Sequence, residues 1–300
     1  LIPLNTGRNA LLYLLKARGI NKIYIPYYLV NIVRDNCFIN GYKFELYKID
    51  REFMPIFNKT LTDVEYLFVV NYFGQLTNEK VRELKHRFGQ IILDNVQAFF
   101  QKPLDGIDTI YSPYKYFGVP DGAYLSTDVT LSEDLEVDIS KGRMIHILGR
   151  YEGTASDYFH RFQEHEVSFD GEPLKFMSKL THNILGAIDY NRVCRIRNEN
   201  YAYLESKLGR LNKLILIAPK GAFVYPFYMN NGIEIKKLLV QKKIYIPTLW
   251  PNVLDDTPKD SVGYDYAANI LPLPCDQRYS IDDMKCLVGE IRKCIRELRK

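Results

Sequence analysis

The stretch IILDNVQAFFQKPLDGIDTIYSPYKYFGVPDG, residues Ile91 to Gly122, contains two short apolar runs, each leading to a residue that can carry chemistry. Ile91, Ile92 and Leu93 have the length and composition of a buried parallel strand, and the run ends at Asp94. Such a strand delivers a carboxylate to its carboxyl edge, where ligands of α/β sheets bind. Ile107 to Tyr111 predicts a second strand, after which Lys115 falls in a loop closed by Gly118, Pro120 and Gly122.

An acid at one strand end and a lysine just after another suit pyridoxal phosphate. The lysine would hold the aldehyde as a Schiff base, and the carboxylate would keep the pyridine nitrogen protonated so that the ring can accept electrons. Both roles depend on charge. A carboxylate within a few ångströms favours the pyridinium, whereas the lysine must lose its proton to act as nucleophile or base. The same residues also admit plainer readings: Asp94-x-x-Gln97 is an N-capping pattern, and Lys115 is one of 40 Lys and Arg.

Outward from this stretch, short strands alternate with helical patterns. Strands are expected at Lys22–Pro26, Phe44–Ile49 and Tyr66–Val70, a helix starting at Tyr27 and Tyr28, and a Thr77-capped helix to Phe88. Such alternation predicts an α/β fold with a large, mostly parallel sheet and helices on both faces, over residues 1–139. Thr6 and Gly7 open a helix marked by Leu11, Leu14 and Leu15; backbone amides at such an entrance suit an anion, and a plain Thr6 cap suits it equally.

From Ile139 the pattern changes. Ile145, Leu148, Tyr151, Tyr158, Phe159 and Phe162 are spaced like one buried helical stripe broken near Gly153. Glu164, His165 and Glu166 point to different helix faces and predict a solvated acidic turn rather than a metal site; no other His and Cys set has ligand spacing. Beyond, a helix to Leu208, strands at Leu214–Ile217, Phe223–Met229 and Tyr245–Pro247, a helix at Ile233–Gln241 and a final helix capped by Ser280 and Asp283 predict connecting helices and a small α+β domain over 140–300.

Hydrophobic content of 47% and charge content of 25% are those of a globular protein. The net charge of +4 is scattered, which suits anionic ligands and excludes a nucleic-acid footprint. The five cysteines show no paired spacing and suit a reducing cytoplasm; no leader segment is visible, and no apolar run is long enough to span a membrane.

The strings LDNVQAFF and YSPYKYFGVPDGAYL, together with IDR at 49–51, NYFG at 71–74, FMS at 176–178 and ILPLPCDQRYSIDDM at 270–284, resemble the DegT/StrS family of PLP-dependent sugar aminotransferases. The resemblance covers most of the chain. It implies a fold-type-I PLP transferase, a homodimer, and transfer of an amino group from an amino acid such as glutamate to a keto-sugar nucleotide, in cell-surface polysaccharide or related sugar biosynthesis. Lys115 would be the catalytic residue, with histidine in its place in the family's dehydratase branch.

By the same resemblance Asp94 holds the pyridinium and Gln97 sits beside the ring, while Gly7, Arg8 and Ser112 hold the phosphate. Tyr28 would stack near the cofactor or line the sugar pocket. Asn71, Trp250 and Arg278 would meet substrate, the last of them a nucleotide diphosphate, with a structural salt bridge as the equal alternative for Arg278. Leu174 and Phe176 stand where the family has the Asn and Arg of a cross-subunit contact, with Lys175 or Arg143 as the nearest replacements. A PLP-fold protein that only binds or regulates, and a PLP aminotransferase for a non-sugar substrate, are the alternatives.

Overall fold

The computed structural model describes residues 1–154 and 156–299. Eight strands form one sheet: β1 (Ile2–Leu4), β2 (Lys22–Pro26), β3 (Lys43–Ile49), β4 (Pro55–Ile56), β5 (Glu65–Val70), β6 (Ile91–Asp94), β7 (Asp108–Tyr111) and β8 (Ala123–Ser126). Their order is β1-β8-β7-β6-β5-β2-β3-β4, and the central five, β7 to β3, run parallel. Strands at both margins are antiparallel.

All four residues of β6 and of β7 are buried, and successive side chains point to opposite faces, so both faces of the sheet are covered. Three helices connect its strands: α1 (Gly7–Ala17), α2 (Asn31–Ile39) and α3 (Asn78–Phe88). The helix expected from Tyr27 and Tyr28 starts only at Asn31. Because β2 pairs with β3 on one side and β5 on the other, the winding reverses there, and a crevice opens at the carboxyl ends of the parallel strands.

The segment after residue 139 packs on this first unit instead of opening a second. Phe176 bridges Leu4 and Val137, Met177 N donates to Pro3 O at 3.2 Å, and Asn5 N donates to Lys175 O at 3.1 Å. Its helices are short: α4 (Ile145–Leu148), α5 (Phe159–Val167) and α6 (Lys179–Gly186). The expected buried stripe is corrected, since Ile145, Leu148, Tyr151 and Phe159 are exposed. The expected acidic turn lies within α5, and His165 on it is buried against His146, with ring centroids 4.4 Å apart.

A second core forms from α7 (Tyr190–Leu208), the antiparallel pair β9 (Tyr225–Tyr228) and β10 (Ile270–Leu273), α8 (Gly232–Gln241) and α11 (Ile281–Glu297), around Leu204, Phe227, Leu239, Leu273 and Ile291. The Ser280–Asp283 capping box is present. The strands expected at Leu214–Ile217 and Tyr245–Pro247 are irregular chain, with Ile215 and Tyr245 pointing to solvent, so alternation there is not matched by burial. Between β9 and β10 the chain returns to the first unit: α9 (Val253–Asp256) and α10 (Val262–Asn269) place Val253, Tyr266 and Ala267 in the large core.

Arg197 of α7 joins the two units. Its guanidinium is buried with no carboxylate partner among the described residues and donates to Ala222 O at 2.8 Å, Gln277 Oε1 at 2.7 Å and Tyr116 O at 3.4 Å, while lying 4.5 Å over the Tyr116 ring. Gln277 donates to the same Tyr116 carbonyl at 2.7 Å. A buried guanidinium needs several acceptors, and here they come from both sides of the junction.

A Cβ at Gly232 would lie 2.2 Å from the Asn269 carbonyl oxygen, a backbone atom that cannot step aside. Gly232→Ala is therefore expected to destabilise the protein by about 2 kcal/mol or more in urea unfolding. Gly289→Ala, where a Cβ meets nothing within 4 Å, is expected to be neutral or stabilising.

Candidate active site

A cavity of about 300 Å³ opens at the crevice. The turn from β1 into α1 lines it, as do the ends of β5, β6 and β7, the C-terminal part of α5 and the segment Thr248–Trp250. Asp94, Ser112 and Lys115 reach it from neighbouring strands because β6 and β7 are parallel and in register, Asp94 opposite Ile110. The local pattern of strand, then polar residue, thus becomes one wall.

Asp94 is buried, and its Oδ1 accepts from Val96 N at 2.9 Å. No helix follows it, so the capping reading is set aside. Burial pushes its carboxyl up to about 6, against the pull of Lys115 and the Val96 N–H, which both favour the carboxylate. Lys115 ends a 3₁₀ turn, Pro113–Lys115, and its side chain is accessible from the cavity. Enclosure by protein nevertheless lowers its pKa, and the charges of Asp94 and Glu166 oppose that shift. Among the described residues no side-chain hydrogen bond or ion pair engages its amine. The pair is a carboxylate short of counter-charge facing an amine that loses its proton readily.

Beside it stands an anion cradle. Thr6 Oγ1 caps α1 by accepting from Asn9 N at 3.1 Å, which leaves the first-turn amides of Gly7 and Arg8 without helical partners. The cap leaves those amides open towards the cavity. Arg8 donates to Asp170 and, at 3.3 Å, to Glu166 O, so its guanidinium is held at the cavity wall. Ser112, also on the wall, has no hydroxyl partner among the described residues.

Trp250 lines the cavity as expected, with a left-handed backbone, φ 56°, and its ring 4.6 Å edge-on to Tyr28. Four expectations are corrected. Tyr28 lies behind Trp250, sealed among Tyr72 and Tyr266, and is not on the wall. Gln97 is buried, with Oε1 accepting from Phe73 N at 2.7 Å, and does not face the cavity. Asn71 is spent holding its own loop, accepting from Leu76 N at 2.8 Å and donating to Asn95 and Gln101. Arg278 points to solvent and pairs with Asp276 at 2.8 Å.

Arg143 and Lys175 are paired within the chain, with Asp138 and Glu172, each at 2.6 Å. Glu166 was not anticipated from the sequence as a site residue, yet it lines the cavity together with Tyr114, one of the tyrosines that cluster near the site in the sequence.

No family model matches the chain, and no curated protein matches it in sequence. Solved structures do match. DesV of S. venezuelae, crystallised with a ketimine intermediate, aligns with a TM-score of 0.66 at 16% identity, covering 97% of this chain and 84% of that one. A DegT DnrJ EryC1 StrS aminotransferase from Brucella abortus aligns at 0.63 and 15%, covering 97% and 85%. DesI, crystallised with its TDP-sugar product, aligns at 0.65 and 13%, covering 98% and 80%. The chain has the fold of these aminotransferases.

Because folding raises the pKa of Asp94, the stability tied to its proton is present below about pH 4 and is lost as pH rises through about 6, amounting to as much as ~3 kcal/mol at neutral pH. Asp94→Asn is expected to match the parent near pH 4 and to melt roughly 5 °C higher at pH 7.5, both without cofactor. Parallel melting curves across that range would contradict a buried, proton-retaining Asp94.

Proposed function

We propose that the protein is a pyridoxal-phosphate-dependent aminotransferase that moves an amino group from an amino acid, such as glutamate, to a keto-sugar nucleotide. The observation that carries this reading is the meeting of Asp94 and Lys115 in one cavity, next to an anion cradle at a helix start.

The residues present fit the cofactor. A buried carboxylate with one backbone hydrogen bond lacks the cation that a pyridinium provides, and Lys115 offers an amine with no competing partner. Gly7 and Arg8 amides, the Arg8 side chain and the Ser112 hydroxyl would hold the phosphate. When bound, pyridoxal phosphate supplies the electron sink for the carbon that gains or loses the amino group. Asp94 would hold a proton at the ring nitrogen. Lys115, its pKa lowered by enclosure, would take up and return the proton at the reacting carbon through Nζ. Trp250 and the end of α5 narrow the cavity and limit the water that reaches the lysine.

Support for a sugar nucleotide comes from DesI, whose structure holds a TDP-sugar product. Support for a homodimer comes from the exposed apolar residues Ile139, Ile145, Leu148, Tyr151 and Phe159, which lie in the segment that folds over the first unit. A place in the cytoplasm agrees with five free cysteines, and a role in polysaccharide or related sugar biosynthesis follows from the keto-sugar substrate proposed above.

The test is an absorbance spectrum with pyridoxal phosphate before and after borohydride, followed by peptide mass spectrometry. The expected result is a visible band that borohydride removes, leaving a phosphopyridoxyl group on Lys115. Lys115→Ala is expected to lose the covalent label and to lower kcat by roughly 10²- to 10⁴-fold or more. A band of equal strength in Lys115→Ala would sink the reading and leave a binding protein.

A further inference from the structure

The polar groups of the cavity can be divided by what already engages them. Asp94 and Lys115 belong to the chemistry, and Gly7, Arg8 and Ser112 to the anion cradle. Asp121 is saturated: it accepts from Ser178 N at 2.9 Å, Ser178 Oγ at 2.7 Å and the Thr181 hydroxyl. Asn5 donates to Asp138 and accepts from Asn9, and Thr248 accepts from Lys236. Glu166 and Tyr114 remain.

The Tyr114 hydroxyl donates to Glu166 Oε1 at 2.6 Å, and no cationic side chain pairs with Glu166 among the described residues. With its hydrogen directed at Glu166, Tyr114 presents only oxygen lone pairs to a ligand, and a carboxylate presents nothing else. This corner therefore accepts hydrogen bonds and donates none. It repels the α-carboxylate of an amino donor and the diphosphate of a nucleotide, and it matches a hydroxyl. Glu166 and Lys115 line the same cavity, so the corner and the amine share one space. Trp250 on the same cavity offers an aromatic surface for the apolar part of a ring.

We infer that Glu166, held by Tyr114, is the specificity subsite that reads a sugar hydroxyl near the carbonyl being aminated. The inference rests on the aminotransferase reading. Glu166 accepts the hydroxyl proton in a charge-assisted hydrogen bond, and Tyr114 fixes the carboxylate's orientation. Substrates lacking that hydroxyl leave the carboxylate unpaired in a partly dry corner.

The experiment compares the parent holoenzyme with Glu166→Gln and Tyr114→Phe on a panel of TDP-linked 3-keto and 4-keto hexoses and their monodeoxy analogues. Cofactor absorbance and the half-reaction with glutamate are followed separately. Expected for Glu166→Gln is a tenfold or greater rise in KM for the best sugar, with a clearly smaller loss in the glutamate half-reaction, which reports only the charge removed from near Lys115. One monodeoxy analogue should be handicapped by a similar factor in the parent and by little in the variant. Tyr114→Phe should show the same split, more weakly. An unchanged sugar KM, an equal loss with glutamate, or discrimination that survives in Glu166→Gln overturns the subsite while the aminotransferase reading stands. Failure of the parent itself to take up pyridoxal phosphate overturns both.

Discussion

Burying the Asp94 carboxylate is the constraint around which the rest of the site is arranged. A charge taken out of water must be matched by another charge, by hydrogen bonds, or by a proton. The fold supplies one backbone N–H and a lysine across a cavity, which is too little to hold the carboxyl in its ordinary range. The parallel sheet is what makes such a placement possible, since its strand ends are enclosed by helices yet open at one edge. Lys115 answers in kind: enclosure drives its proton off, and two carboxylates hold it back. Each group is tuned by the other, an arrangement suited to a cationic, aldehyde-bearing partner.

The same economy recurs at the anion cradle. Arg8 is not a free cation waiting at the wall, because Asp170 and the Glu166 carbonyl already occupy it. Those contacts fasten the end of α5 over the cavity, so the residues that cradle an anion and the residue that accepts a hydroxyl are mechanically one piece. Phe169 strengthens the joint, lying 5.7 Å from the Arg8 guanidinium and 4.6 Å from that of Arg143.

How much of this the sequence disclosed follows from how local each feature is. Asp94, Lys115, Ser112, Gly7 and Arg8 sit at strand ends or at a helix start, positions that short-range patterns mark, and all five face the cavity. Asn71, Gln97 and Tyr28 also follow strand ends, but their side chains turn back into hydrogen bonds or aromatic packing that only tertiary neighbours determine. Glu166 escaped because the helix face that turns inward is set by what α5 packs on, and three adjacent polar residues give no such hint. The apolar spacing from Ile145 to Phe162 was read correctly as apolar and wrongly as buried, since periodicity reports which residues share a face and not whether that face is covered within one chain.

The interleaving of the two cores governs the order in which the chain can fold. Val253, Tyr266 and Ala267 complete the large core, although most of that core is built from residues before 126, and the strands on either side of them belong to the smaller unit. During synthesis the sheet emerges before α10 and must wait, its crevice side unfinished, until α10 has followed it. Closing contacts of such long sequence separation slow folding and leave apolar surface bare in the interval. The nascent chain is therefore a natural client for chaperones until residue 270 is free to pack.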